Sequence, residues 1–252
     1  MVTGFGLGLT ASGHKFAGAA ELRGAATITV NGDAQVDTAR SALGSASMLL
    51  DGSGDYLTAD PADTGGFIFA SGDPFTIEFW FNYDNDTGSA SANLMSNKDS
   101  GANDATNFFI LFRNFDTKLQ LYCTSAMGIG VATGAISADT WNHVALVRNS
   151  SGNTGFFLNG TRAQSRSSVS GAVGRTGEER IGIGALTLGG IPFNQGGNGW
   201  IDEVRVSSVA RYDPTLTSLT VPTSAFTNDT DTLLLLHMEG ADGSTTFEDD
   251  NA

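Results

Sequence analysis

The sequence predicts an all-β protein, a two-sheet antiparallel β-sandwich, and three observations carry that expectation. About a dozen short runs rich in Val, Ile, Leu, Phe and Thr are separated by Gly, Asn, Asp and Ser clusters, the pattern of strands and turns. No segment sustains the i, i+3, i+4, i+7 apolar spacing of a helix that buries one face. Strand signals follow one another without intervening helical patterns, which favours stacked antiparallel sheets over a parallel βαβ arrangement.

Taken in order, residues 1–24 are Gly- and Ala-rich with few strand formers and read as an N-terminal arm or a divergent first strand, leaving 25–252 as one sandwich domain. A short strand over Thr27 to Val30 meets the Asn31-Gly32 turn signal. SMLLDGSGDYLTA gives two strand pieces, Met48 to Leu50 and Tyr56 to Thr58, on either side of a Gly-rich bend. In FTIEFWFNY the residues Phe75, Ile77, Phe79, Phe81 and Tyr83 form an apolar row, and Thr76, Glu78, Trp80 and Asn82 form a polar row opposite, because side chains alternate along a strand. The stretch from Asp84 to Thr106 reads mostly as loop, and NFFILFRN with KLQLYCTS reads as a hairpin. WNHVALVRNSSGNTGFFLNGT is the clearest hairpin signal: its first arm is apolar on both faces, so a covered strand is expected, and Asn159-Gly160 suits the two positive φ angles of a type I′ turn. Trp141 and His143 are assigned there to packing. In WIDEVRVS strict alternation places Trp200, Asp202, Val204 and Val206 on one face and Ile201, Glu203 and Arg205 on the other. DTLLLLHMEG, apolar on both faces, reads as a central strand, and GADGSTTFEDDNA as a trailing polar end.

Composition narrows the function. A net charge of −14 with only three lysines leaves no basic stripe for phosphate, so neither nucleic acid nor an anionic membrane surface is an expected partner, and no membrane insertion is expected. The single Cys123 excludes an intrachain disulfide and reads as a small buried hydrophobe. His14, His143 and His237 show no metal-ligand spacing. The N-terminus lacks the basic and long apolar regions of a secretion signal. Neither a GxSxG elbow nor a strand with three alternating carboxylates in the pattern ExDxE occurs, which argues against a hydrolytic enzyme.

LLDGSGDYL, FTIEFWFN, WNHVALVRNSSGNTGFFLNGT, IGIG, GWIDEVRVSSVARY and TLLLLHMEGADGSTTF stand in an order that resembles the concanavalin A-like jelly rolls of the laminin-G-like (pentraxin-like) type, over about Asn31 to Asp250. Close variants of the combination are familiar in bacteriophage virion proteins and in bacterial surface proteins. Phage-type members often open with a strand like the one that here lies only at Leu233 to Phe247, and GFGLGLTASGHKFAGAAELRG stands in its place. The resemblance implies a jelly roll whose face and loops bind glycans, often with calcium at the rim. It implies a non-enzymatic structural or binding protein: a virion component (capsid decoration, head fibre or tail fibre) displayed on the virion surface, homo-oligomeric, with other virion or surface proteins and host glycans as partners. A free-standing bacterial carbohydrate-binding module or extracellular adhesin is the alternative, and a glycoside hydrolase a minor one. Trp80, flanked by Glu78 and Asn82, is the expected sugar-binding plate, since sugar rings pair CH faces with aromatic rings and hydroxyl edges with polar groups. The loops Asn82 to Asn107 and Gly189 to Gly199 are further candidates. Asp202, by resemblance, and Asp51 in the DGSGD bend are the expected calcium ligands, being hard oxygen donors in Gly-flanked segments.

Overall fold

A computed structural model describes residues 24–63, 66–84, 92–97, 109–113, 118–123, 129–174, 179–184 and 199–251. Nearly all of the predicted arm at 1–24, and most of the loops 82–107 and 189–199, lie outside the described residues. Fifteen strands are described: β1 (Thr27–Asn31), β2 (Gln35–Asp37), β3 (Ser47–Leu50), β4 (Tyr56–Asp60), β5 (Phe75–Tyr83), β6 (Ala92–Ser96), β7 (Phe109–Arg113), β8 (Lys118–Cys123), β9 (Ile129–Ala135), β10 (Asn142–Arg148), β11 (Thr154–Leu158), β12 (Thr161–Arg166), β13 (Ile181–Ile183), β14 (Gly199–Ser207) and β15 (Thr232–Leu236). They form a seven-stranded sheet ordered β1-β4-β13-β6-β7-β8-β9 and an eight-stranded sheet ordered β12-β11-β10-β5-β14-β3-β2, with β15 also paired to β14. All these pairings are antiparallel. The architecture is the expected sandwich.

One continuous core lies between the sheets. Phe75, Ile77, Phe79, Phe81 and Tyr83 of β5 meet Val144 and Leu146 of β10, Phe156 of β11 and Met48 of β3, together with Leu57 and Ala59 of β4 from the other sheet. Aromatic and branched side chains at alternate positions supply this layer because burial of their apolar area is the main favourable contribution to folding. The DGSGD bend carries the chain from β3 in the larger sheet to β4 in the smaller one. The hairpin of β10 and β11 is present, β10 is buried along its whole length, and Asn159 and Gly160 take φ of 49° and 77° as the type I′ reading requires.

Four local expectations are corrected. The polar row of β5 is not solvated: Thr76 and Glu78 are buried where segment 208–231, which links β14 to β15, packs over the outer face of the larger sheet, and Asn82, beside Trp200, is buried as well. Its residues Ala210, Tyr212 and Leu219 cover Ala145, Val147 and Phe157 in a second, outer apolar cluster. Strict alternation in β14 fails, because the register shifts between Asp202 and Arg205 and Glu203 takes φ of 50°. This β-bulge sends Asp202 and Arg205 to the same outer face while Ile201, Val204 and Val206 turn to the core.

β15 is also not a central strand. β3 pairs with the first part of β14 and β15 with its last part, so the two share one flank of a nine-residue strand. The far flank of β15 is closed by the C-terminal segment, which is packed rather than trailing: Asp250 N donates to Leu235 O at 2.8 Å, and Asp249 accepts from Leu235 N at 2.9 Å and from Ala26 N at 2.7 Å. Ser244 and Gly243 bond Val36 of β2 in the same way. The edge of the sheet is thereby covered rather than left open to pairing with another chain.

Candidate functional site

The outer face of the larger sheet is laid out by register. Asp202 of β14, Trp80 of β5 and His143 of β10 stand side by side in one row. Arg205, Glu78 and Ala145 make the next row, and Trp200 stands beside Asn82 on the other side. The bulge at Glu203 is what brings both Asp202 and Arg205 into this surface.

Glu78 is wholly enclosed and serves the interior. Its Oε1 accepts from Arg205 Nε at 2.9 Å and Nη2 at 2.6 Å, and its Oε2 accepts from Tyr212 Oη at 2.7 Å, with His143 Nε2 3.5 Å away. Burial alone would push this carboxyl up, but His143, Arg205 and Tyr212 together outweigh it and hold Glu78 below the usual glutamate range. The guanidinium of Arg205 also lies 4.2 Å from the centre of the Phe226 ring. Glu203 is equally occupied: one oxygen accepts from Phe226 N at 2.7 Å and the other meets His237 Nδ1 at 2.7 Å. These contacts anchor segment 208–231 to the sheet.

The row above is different in kind. Trp80 is partly exposed and its indole packs against His143 with ring centres 5.2 Å apart. Asp202 is buried; its Oδ2 accepts from the backbone N–H groups of Ala42 and Leu43 at 2.8 and 3.1 Å, and burial pushes its carboxyl up to about 7. Other polar atoms on this face have no hydrogen-bond partner among the described residues: Trp80 Nε1, Asn82 Oδ1, Asp202 Oδ1 and His143 Nδ1, whereas His143 Nε2 faces Glu78. Buried polar atoms are seldom left in this state, because each carries the cost of desolvation without compensation, so bound water or a ligand hydroxyl is the expected complement.

Of the residues singled out from sequence, the fold therefore gathers Trp80, Glu78, Asn82 and Asp202 on one face, with Glu78 directed inward. Asp51 lies elsewhere. It joins Asp33 and Asp55, one carboxylate oxygen from each of the three lying within 4.8 Å of the others, where the turn after β1 meets the β3–β4 bend. Asp55 accepts from Asp33 N and Asp51 N, both at 2.8 Å, and burial pushes its carboxyl up, so it also fastens the two turns together. Three clustered carboxylates are a donor set that suits a hard cation such as calcium. Asp202 is not part of this group. Sequence reasoning missed His143, Arg205 and Tyr212 as neighbours of Glu78 and Trp80. For Arg205 the obstacle was the bulge, and for Tyr212 a segment with no strand signal.

Comparison with known proteins agrees with this architecture. Residues 51–216 match the family model of the concanavalin A-like lectin/glucanases superfamily. No curated protein matches the sequence. Among solved structures, the binding domain of Paraclostridial Mosquitocidal Protein 1 is similar with a TM-score of 0.56 at 16% identity, over 74% of this chain and 45% of that one. The receptor binding domain of a botulinum neurotoxin C/D mosaic serotype has a TM-score of 0.51 at 14% identity, over 74% of this chain and 44% of that one. The botulinum neurotoxin serotype D binding domain has a TM-score of 0.52 at 14% identity, over 73% and 44%. The chain thus spans less than half the length of these structures, and the likeness is one of fold. With the family model covering most of the sandwich and the two sheets arranged as described, the chain belongs to the concanavalin A-like lectin/glucanase superfamily.

Proposed function

We propose that this chain is a non-enzymatic attachment module that binds glycans on the outer face of its larger sheet, around Trp80. The observation that carries the reading is the set of polar atoms without a partner among the described residues, Trp80 Nε1, Asn82 Oδ1, Asp202 Oδ1 and His143 Nδ1, beside a partly exposed indole. An aromatic plate with hydrogen-bonding groups converging next to it is the chemistry that recognises a sugar ring. Catalysis is disfavoured by the same face, since glycoside hydrolysis needs two carboxyl groups free to act on one bond. Here Glu78 and Glu203 are held on both oxygens by internal partners. The toxin domains that share the fold are named for binding, which is in keeping with this reading.

The setting in which such a module would work is the surface of a bacteriophage virion, as a decoration, head-fibre or tail-fibre protein contacting other virion proteins. The order of the six sequence segments supports it. In that reading the module is homo-oligomeric, and Asp33, Asp51 and Asp55 are the residues that would hold calcium, where the ion would neutralise three carboxylates and tie the two turns together. Melting with and without a chelator tests the ion: a lowered midpoint in chelator is expected, and an unchanged midpoint contradicts it. A broad glycan array with a parallel assay for released reducing sugar tests the function. Saturable retention without sugar release is the expected result; a blank array, or turnover, overturns it.

A further inference from the structure

A separate cleft of about 500 Å³ opens where the exposed end of β12 faces the beginning of segment 208–231, lined by Asn153, Arg162, Ser165, Arg166, Ser167 and Thr215. That volume is within the usual range for small-ligand sites. Its charge is out of keeping with the chain. Arg40, Arg180, Arg205 and Arg211 pair with Asp139, Asp60, Glu78 and Asp229, and the buried Arg148 is surrounded by the carbonyls of Ala70, Asp73 and Gly171. Among the described residues no carboxylate lies within ion-pair distance of Arg162 or Arg166, although the protein carries 27 acidic residues against 13 basic ones. The nearby Asp213 is turned onto Thr215, whose N and Oγ1 donate to it at 2.9 and 2.6 Å.

The two guanidinium groups are prepared differently. Arg162 is fixed by donating Nη1 to the carbonyls of Pro214 at 3.1 Å and Thr215 at 2.6 Å, which leaves Nε and Nη2 for another acceptor. Arg166 is exposed and has no partner among the described residues. A guanidinium fork matches the two oxygens of a carboxylate or sulfate, and the serines and Asn153 add the short donors and acceptors that hydroxyl groups need. The register shift opposite Phe156 and Phe157 bulges β12 at Ala163, and Arg162 and Arg166 line the cleft from either side of that bulge, around a volume that suits sugar units rather than one small ion.

We infer that this cleft is a second glycan subsite, selective for acidic sugars that carry carboxylate or sulfate groups. The inference takes its ligand class from the glycan-binding reading above but stands on different residues, so the two can fail separately. Calorimetric titration of the full chain with a sulfated tetrasaccharide, an oligogalacturonate, a neutral oligosaccharide of equal length and sodium sulfate, at matched ionic strength, tests it. Expected are saturable binding of at least one acidic oligosaccharide, at least tenfold weaker binding of the neutral one and of free sulfate, and a loss of at least fivefold in Arg166→Ala with partial recovery in Arg166→Lys. Arg166→Ala leaves the melting midpoint unchanged, because the exposed side chain has no partner among the described residues, and Trp80→Ala leaves acidic-sugar binding at this cleft intact. Equal binding of neutral and acidic sugars, binding of free sulfate as tight as of the oligosaccharide, or an Arg166→Ala variant that binds like the parent each overturns the inference.

Discussion

At the scale of single residues, two buried acids on one sheet face respond to pH in opposite directions. Glu78 sits below its ordinary range, so the stability it contributes is present above the ordinary value of 4.5 and is lost as pH falls through its folded value. Asp202 is raised from 3.8 to about 7, chiefly by burial. The folded chain keeps a proton there that the unfolded chain releases, so this contribution is full below pH 3.8 and is lost as pH rises toward 7. Asp202→Asn keeps an acceptor for Ala42 N and Leu43 N but removes the charge. Urea denaturation at pH 4 and pH 8 is therefore expected to show the variant gaining on the parent by more than about 1 kcal/mol between the two, given about 1.4 kcal/mol per pH unit. A constant gap would show that Asp202 is not held neutral by its surroundings.

At the scale of elements, segment 208–231 has no sustained strand or helix pattern in its sequence, yet it packs over the outer face of the larger sheet. It is pinned at one end by the Thr76 hydroxyl, which donates to Val209 O and accepts from Arg211 N, both at 2.8 Å, and further along where Leu219 N donates to Gly160 O at 2.8 Å. Gly160 has φ of 77°, and a Cβ there would approach Leu219 O at 2.8 Å and Val221 Cγ2 at 2.9 Å. Gly160→Ala is therefore expected to cost about 1–2 kcal/mol through backbone strain and displacement of the segment, read as a lower denaturation midpoint. A neutral substitution would mean that the segment is not seated on the hairpin turn. What was legible beforehand follows the same division. Strands with a strict period of two, such as β5 and β10, and the Asn159-Gly160 turn were readable because local chemistry dictates them. The bulge at Glu203, the sharing of one β14 flank by β3 and β15, and the covering of the polar row were not, because each depends on contacts between residues distant in sequence: Glu203 with Phe226 and His237, Glu78 with Arg205 and Tyr212, Asp249 with Ala26. The site was legible to the same extent. Trp80 and Asn82 stand on the expected face, while Glu78 shares that face but is consumed by the fold.

At the scale of the whole molecule, an acidic sandwich offers two chemically distinct surfaces. One is the indole of Trp80 with polar atoms that have no partner among the described residues, and the other is the arginine cleft beside β12. Both lie on the larger sheet or at its edge, so the two proposed sites sit on one body. The most direct test of the central claim is the affinity of the parent and of Trp80→Ala for the best array ligand, with melting midpoints recorded alongside. A loss of at least tenfold in affinity with the midpoint shifted only slightly is the predicted result. Unchanged affinity in Trp80→Ala would contradict the account and place glycan recognition elsewhere on the fold.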